Sequence, residues 1–386
     1  MGYNFDEVID RHGTNSLKWD FAVERGKPED LLSMWVADMD FPAPCEVLAD
    51  LQKAVSHGVF GYTEVKQDYY DVLIAWFGER FGFSFNRRDV VKTPSVVFAL
   101  ALAVRALTEI GESVIIQTPV YYPFYEVIKD NNRIIVTNPL IYKNGAYSID
   151  FEDFEKKIIA NNVKLFILCS PHNPVGRVWT REELEKLSLI CKTHQVIVVS
   201  DEIHCDFVWG ENKHTCFGVL DENVIIATAP SKTFNLAGLQ AANIIVKNTE
   251  LRHKLKVELN KSGYSQLGTL GLVACQSAYT NGNEWLSELK IYIEENISLT
   301  KKFITSHLPK VKLVEPQGTY LLWLDFSAYG FSQKELDEHV TNSAKLWLDG
   351  GTIFGTDGEG FQRINIACPR SVLLDALKRL AKVFGE

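Results

Sequence analysis

Only seven cysteines occur in the 386 residues: Cys45, Cys169, Cys191, Cys205, Cys216, Cys275 and Cys368. The count is odd, the spacing wide, and no pair forms Cys-x-x-Cys. That pattern argues against a disulfide framework and against a zinc cluster, so no metal is expected. Buried free thiols are the simpler reading, and a catalytic cysteine the lesser one. No apolar run reaches the roughly 18–20 residues that a membrane-spanning helix requires. The opening Met1-Gly2-Tyr3-Asn4-Phe5-Asp6-Glu7 is polar and acidic, without the basic and apolar segments of a signal peptide. The cytoplasm is therefore the expected location, with no membrane partner. A basic stripe is missing too, and the net charge is −9, which makes nucleic acid a poor partner. Repeats, low-complexity tracts and long linkers do not occur. The glycines between Gly350 and Gly360 do not form Gly-x-Gly-x-x-Gly between a strand and a helix, which disfavours a nucleotide-binding dehydrogenase.

What is present is the balance of a folded chain, 46% hydrophobic and 23% charged. Its length suits two domains of about 100–250 residues each. The middle alternates apolar runs with amphipathic stretches. Candidate strands are Ser113–Gln117, Lys164–Cys169, Val196–Ser200, Asn223–Thr228 and Asn243–Val246. They are β-branched and almost continuously apolar, as strands covered on both faces are. The clearest helix is Thr180–His194: Thr180 caps it, Glu183 completes a capping box, and Leu184, Leu187 and Cys191 share one side. Strand, helix, strand in succession predicts an α/β fold with a mainly parallel sheet. The last hundred residues read as a smaller α+β unit, with a helix near Glu284–His307, strands near Thr319–Asp325 and Arg363–Ala367, and a helix over Ser371–Phe384.

In a parallel sheet, ligands bind beyond the carboxyl ends of the strands. After the strand ending at Cys169 comes Ser170-Pro171-His172-Asn173-Pro174-Val175-Gly176, a rigid turn that can fix an amide; His172 reads as a turn residue. After Ser200 comes Asp201-Glu202-Ile203-His204. A carboxylate ending a buried strand needs a cationic or hydrogen-bonding partner. After Thr228 comes Ala229-Pro230-Ser231-Lys232-Thr233, a lysine among apolar and small residues and a candidate for a depressed pKa and Schiff-base chemistry. After Gln117 comes Thr118-Pro119-Val120-Tyr121-Tyr122, placed to stack on a planar ligand. Each feature alone has an ordinary structural reading as a solvated lysine, a helix cap or packing. Together they put an amide, a carboxylate, an amine and an aromatic ring at the ends of one sheet.

These residues in this order resemble fold type I pyridoxal 5′-phosphate (PLP) enzymes, the aspartate aminotransferase superfamily. The likeness covers nearly the whole chain. It rests on Asn173 in Asn-Pro-x-Gly, Asp201 in Asp-Glu-Ile, Lys232 in Ser-Lys-Thr-Phe-Asn-Leu-Ala-Gly, and Arg363 in Arg-Ile-Asn-Ile-Ala-Cys-Pro-Arg. Within the superfamily the chain is most similar to the MalY/PatB group of cystathionine β-lyases, or C–S lyases. The shared segments are Phe5 to Asp20, Met34-Trp35-Val36-Ala37-Asp38-Met39-Asp40-Phe41 and Asp201-Glu202-Ile203-His204. Two departures from ordinary aminotransferases agree with this: His204 stands where they carry tyrosine, and Gln240 where they carry a phosphate-binding arginine.

The resemblance implies a large PLP-binding domain over residues 50–285 with a seven-stranded sheet, and a small domain from 1–49 and 286–386. It implies that Lys232 attaches the cofactor and moves the substrate α-proton. Asp201 would pair with the pyridine nitrogen, Asn173 with the ring 3-oxygen, and Tyr121 would stack on the ring. Val96 and Val97, at the start of a helix running to about Thr108, would bind the phosphate by backbone amides, with Ser231 adding a hydroxyl. His204 would stand near the cofactor as a polar group. Arg363 would hold the substrate carboxylate as a bidentate pair. Tyr62 would reach the phosphate of a neighbouring subunit, so a homodimer with shared sites is implied. The implied activity is α,β-elimination on a sulfur amino acid, L-cystathionine or L-cysteine, giving a thiol, pyruvate and ammonia. An aminotransferase using the same residues is the alternative, and a regulatory binding protein on the same scaffold a second one.

Overall fold

The computed structural model describes residues 2–385; residues 1 and 386, the outer limits of the expected small domain, lie outside it. Seven strands form one sheet: β1 (Val90–Thr93), β2 (Ser113–Thr118), β3 (Ile134–Pro139), β4 (Leu165–Cys169), β5 (Ile197–Asp201), β6 (Val224–Thr228) and β7 (Ala242–Ile245). Their order is β1-β7-β6-β5-β4-β2-β3. All neighbours pair in parallel except β7, which runs antiparallel to both β1 and β6. The α/β class and the mainly parallel seven-stranded sheet are thus as expected.

The apolar runs behave as doubly covered strands. Along β4, Leu165, Ile167 and Cys169 enter one core, whereas Phe166 and Leu168 enter the other. That alternation follows from the two-residue period of a strand. Helix α1 (Val96–Leu107) adds Leu100, Ala103 and Val104 to the first core; α2 (Arg181–Thr193) adds Leu184, Leu187 and Cys191 to the second. At the start of α2, the Glu183 amide donates to Thr180 Oγ1 at 3.2 Å, and the Thr180 amide donates to Glu183 Oε2 at 2.8 Å.

Chain order makes β2 lead outward to β3, while β4, β5 and β6 proceed the other way. The reversal between β2 and β4 leaves a crevice beyond their carboxyl ends. Tyr121 follows β2 and Asn173 follows β4, and the Tyr121 amide donates to the Asn173 carbonyl at 3.1 Å.

The C-terminal part holds α3 (Asn283–His307), α4 (Arg370–Phe384) and an antiparallel sheet of β8 (Lys312–Leu313), β9 (Leu321–Asp325), β10 (Asp349–Gly350) and β11 (Phe361–Asn365), ordered β8-β9-β11-β10. Strand β9 begins two residues later than its apolar pattern suggests, because Thr319 adopts φ +65°. The N-terminal segment touches both parts. Leu32–Ser33 pairs with Leu346–Trp347, and the Asn365 side chain donates to the Val36 and Asp38 carbonyls at 2.7 and 2.6 Å. Asn235, three residues beyond Lys232, donates to the Met39 and Phe41 carbonyls at 3.0 and 2.8 Å. Among the described residues no helix is long and apolar enough to cross a membrane.

Removing the cap hydroxyl of α2 in Thr180→Ala is expected to lower stability by about 1 kcal/mol, read as a shift in the denaturant midpoint.

Candidate active site

The strand ends and the start of α1 enclose one pocket. Its walls include Tyr121, Asn173, Asp201, His204, Ser231 and Lys232, together with Val96 and Val97. Eight of the ten expected site residues therefore meet in one place. Arg363 lies behind Asn173, with Nη1 donating to Asn173 Oδ1 at 2.9 Å. Tyr62 is elsewhere: it is fully exposed and lines a separate surface cavity. Gln240 borders both that cavity and the pocket.

Lys232 sits in the short helical turn Pro230–Thr233 that follows β6. Its surface is half-buried because it faces the open pocket, yet the atoms packed round the amine desolvate it. That desolvation lowers its pKa from 10.5 to about 8; nearby Asp38 opposes the shift and Arg363 adds to it. The amine donates to the Ala37 carbonyl at 2.7 Å. The same carbonyl accepts from Tyr320 Oη at 2.9 Å. Just beyond, the buried Lys18 ammonium pairs with Asp40 at 2.7 Å, and Arg11 holds Asp38 at 2.6 Å and Asp40 at 2.7 Å.

Asp201 ends β5 and is buried, which raises its pKa to about 7; the Ile203 amide, donating at 3.1 Å, and the Lys232 charge pull it back. A buried carboxylate so placed is suited to a cationic partner in the pocket. Beside it, Glu202 is wholly buried and structural, accepting from Ser200 Oγ, the Phe217 amide and His214 Nε2. His204 is also buried, and burial drives its pKa well below 6.5, so its ring is neutral. Its Nδ1 has no hydrogen-bond partner among the described residues. Tyr121 is likewise held protonated by burial.

At the mouth of α1, Ser95 Oγ accepts from the Phe98 amide at 3.1 Å. The Val96 and Val97 amides belong to the first helical turn, which has no internal acceptors. Free amides at the positive end of a helix favour an anion.

The residues present fit PLP. The amine, a carboxylate without an ion pair, a neutral imidazole and a helix terminus for a phosphate all border one pocket. Ser95, Ala37 and the Lys18–Asp40 pair were not singled out from the sequence. Ala37 acts through its carbonyl, which no side-chain pattern reports. Lys18 and Asp40 lay within motifs noted only for their resemblance.

A family model described as aminotransferase class I and II matches residues 31–380. The chain is 45% identical to cystathionine beta-lyase PatB of Bacillus subtilis (strain 168), over 98% of each chain. Among solved structures, cystalysin from Treponema denticola, which contains a pyridoxal 5′-phosphate cofactor, is 38% identical with a TM-score of 0.96, over 99% of each chain. The PLP-bound C–S lyase from Staphylococcus hominis is 35% identical with a TM-score of 0.93, over 100% of this chain and 99% of that one.

In the chain stripped of bound small molecules, reductive methylation of Lys232 is expected to titrate with a midpoint near pH 8, followed by mass spectrometry. The amine is charged and unreactive below that pH and free above it. Asp38→Asn removes a charge that favours the ammonium, so the midpoint is expected to move lower still.

Proposed function

The chain belongs to the aminotransferase class I and II family, and on that premise we propose that it is a PLP-dependent carbon–sulfur lyase acting on L-cystathionine. The reading is carried by the convergence of Lys232, Asp201 and Asn173 on one pocket, in a chain alike along its whole length to a cystathionine β-lyase. Free thiols throughout agree with a reducing, cytoplasmic setting. Residues 50–285 form the cofactor-binding domain in this reading, with 1–49 and 286–386 as the small one.

When bound, PLP supplies an electron sink for the bonds at the substrate α-carbon. Asp201 holds a proton at the pyridine nitrogen by its charge, and a cationic partner offsets the cost of its burial. Asn173 donates through its side-chain amide to the ring 3-oxygen while its carbonyl oxygen steadies Arg363. Tyr121 covers the ring face, worth about 1 kcal/mol beyond burial. Neutral His204 borders the same ring without adding charge. The Val96 and Val97 amides and the Ser231 hydroxyl receive the phosphate, and Gln240 leaves the helix terminus to supply the positive field.

Lys232 Nζ is the one amine in the pocket, and burial brings its pKa to about 8. It takes the α-proton of the substrate. The β-carbon then releases its thiolate, which leaves with its electron pair. The overall balance is cystathionine plus water giving homocysteine, pyruvate and ammonia. Cysteine in the same pocket gives sulfide in place of homocysteine.

The site is completed by a second copy of the chain. Leu48, Val55, Val59, Phe60 and Tyr62 are exposed along one stretch, beside the cavity that Gln240 shares with the pocket. Burying that stretch against a partner brings Tyr62 to the partner's phosphate.

Holoenzyme is expected to release pyruvate and homocysteine from L-cystathionine with no keto acid added, and Lys232→Ala to lose about 10²–10⁴-fold in kcat. A strict need for a keto-acid acceptor reassigns the chain to transamination. Sedimentation is expected at twice the 43.7 kDa chain mass. Tyr62→Phe is expected to weaken PLP retention about tenfold, the worth of one hydrogen bond to a charged group.

A further inference from the structure

Arg363 is buried in β11, and three of its N–H donors are in use. A guanidinium has five N–H groups in a fixed plane. One proton of Nη1 goes to Asn173 Oδ1 at 2.9 Å. Both protons of Nη2 are taken, one by the Trp35 carbonyl at 2.9 Å and one by the Asp349 carboxylate. Nε is buried with no partner. A carboxylate can pair with an arginine in two planar ways, across Nε and Nη2 or across Nη1 and Nη2. Each needs a proton of Nη2. The bidentate grip expected of Arg363 therefore requires one present acceptor to leave.

The two acceptors differ in freedom. Trp35 presents a backbone carbonyl. Its neighbour Met34 is hydrogen-bonded to Trp347, and its own ring stacks on Trp347 at 4.4 Å and 10°. Asp349 reaches Arg363 through a side chain with rotatable bonds. The Phe354 ring lies under the guanidinium at 4.8 Å and keeps its plane. Carboxylate exchange at Nη2 can thus proceed without moving the arginine.

We propose that Asp349 is a specificity-determining positioning residue, an internal carboxylate that occupies Arg363 in the ligand-free enzyme and yields Nη2 to the α-carboxylate of the incoming amino acid. This rests on Arg363 being the carboxylate-binding group of the proposed lyase. While Asp349 holds Arg363, the buried cation is neutralised and small anions gain little by entering. Only a ligand that offers a carboxylate at the right distance from its amine displaces it. Displacement leaves Asp349 buried, in the field of Asp337, and so weakens every carboxylate ligand by a fixed factor.

The test is a spectral titration of holoenzyme with L-alanine, which has the carboxylate but no leaving group, and with L-alaninamide, which has neither. Asp349→Asn is expected to bind L-alanine about tenfold more tightly than the wild type while alaninamide binding stays the same. Unchanged or weaker L-alanine binding overturns the proposal. Should Asp349→Asn not fold, a crystal structure of wild-type holoenzyme with L-alanine decides: Asp349 beyond hydrogen-bonding reach of Nη2 supports the exchange, and a retained contact overturns it. Arg363→Lys serves as the control. If it leaves L-alanine binding intact, the assignment of Arg363 fails and the proposal falls with it. If it weakens binding and Asp349→Asn does not tighten it, only the exchange fails.

Discussion

Lys232 can act as a base near neutral pH because its amine is desolvated, and the fold is arranged to keep it so. One hydrogen bond, to the Ala37 carbonyl, fixes the amine without adding charge. A carboxylate in that place would stabilise the ammonium and return the lysine to its ordinary range. The charges that do lie nearby are occupied with each other: Asp38 and Asp40 are held by Arg11 and Lys18. The backbone thus supplies position, and the ion pairs behind it hold that backbone in place.

The same economy of charge recurs across the pocket. Asp201 is buried with no ion pair of its own among the described residues, so it is suited to receive a cation. Arg363 is buried with an anion already in place, so a second carboxylate can pair with it bidentately only by exchange. Glu202, one residue from Asp201, differs in having three donors of its own, and this separates a structural carboxylate from a chemical one. Identity of residue type does not distinguish the two; their partners do.

Much of this was legible beforehand. The strands β2, β4, β5, β6 and β7 announced themselves because burial on both faces demands unbroken apolar runs. The residues after them were legible because a parallel sheet presents its strand ends to one crevice. Strand β1 was hidden by its four residues and its lysine, and edge strand β3 by its exposed Ile134 and terminal proline. The contact of Asp349 with Arg363 was not legible, since the two lie 14 positions apart and meet only through the antiparallel pairing of β10 with β11. Nor was that of Ala37, whose contribution is an oxygen common to every residue. Motif reading finds side chains that protrude from regular elements. It passes over backbone groups and contacts made by long-range register.

The stretch from Trp35 to Phe41 is stitched at one end to Asn365 of β11 and at the other to Asn235 of the lysine loop. Trp35 touches Arg363, and Ala37 touches Lys232. Two residues of ordinary backbone therefore connect the Arg363 guanidinium to the Lys232 amine. The Trp35 and Ala37 carbonyls sit two residues apart on one bent segment, and each accepts from one of the two groups. The spacing of the two cations is in this way set by a short ribbon of backbone rather than by a network of side chains.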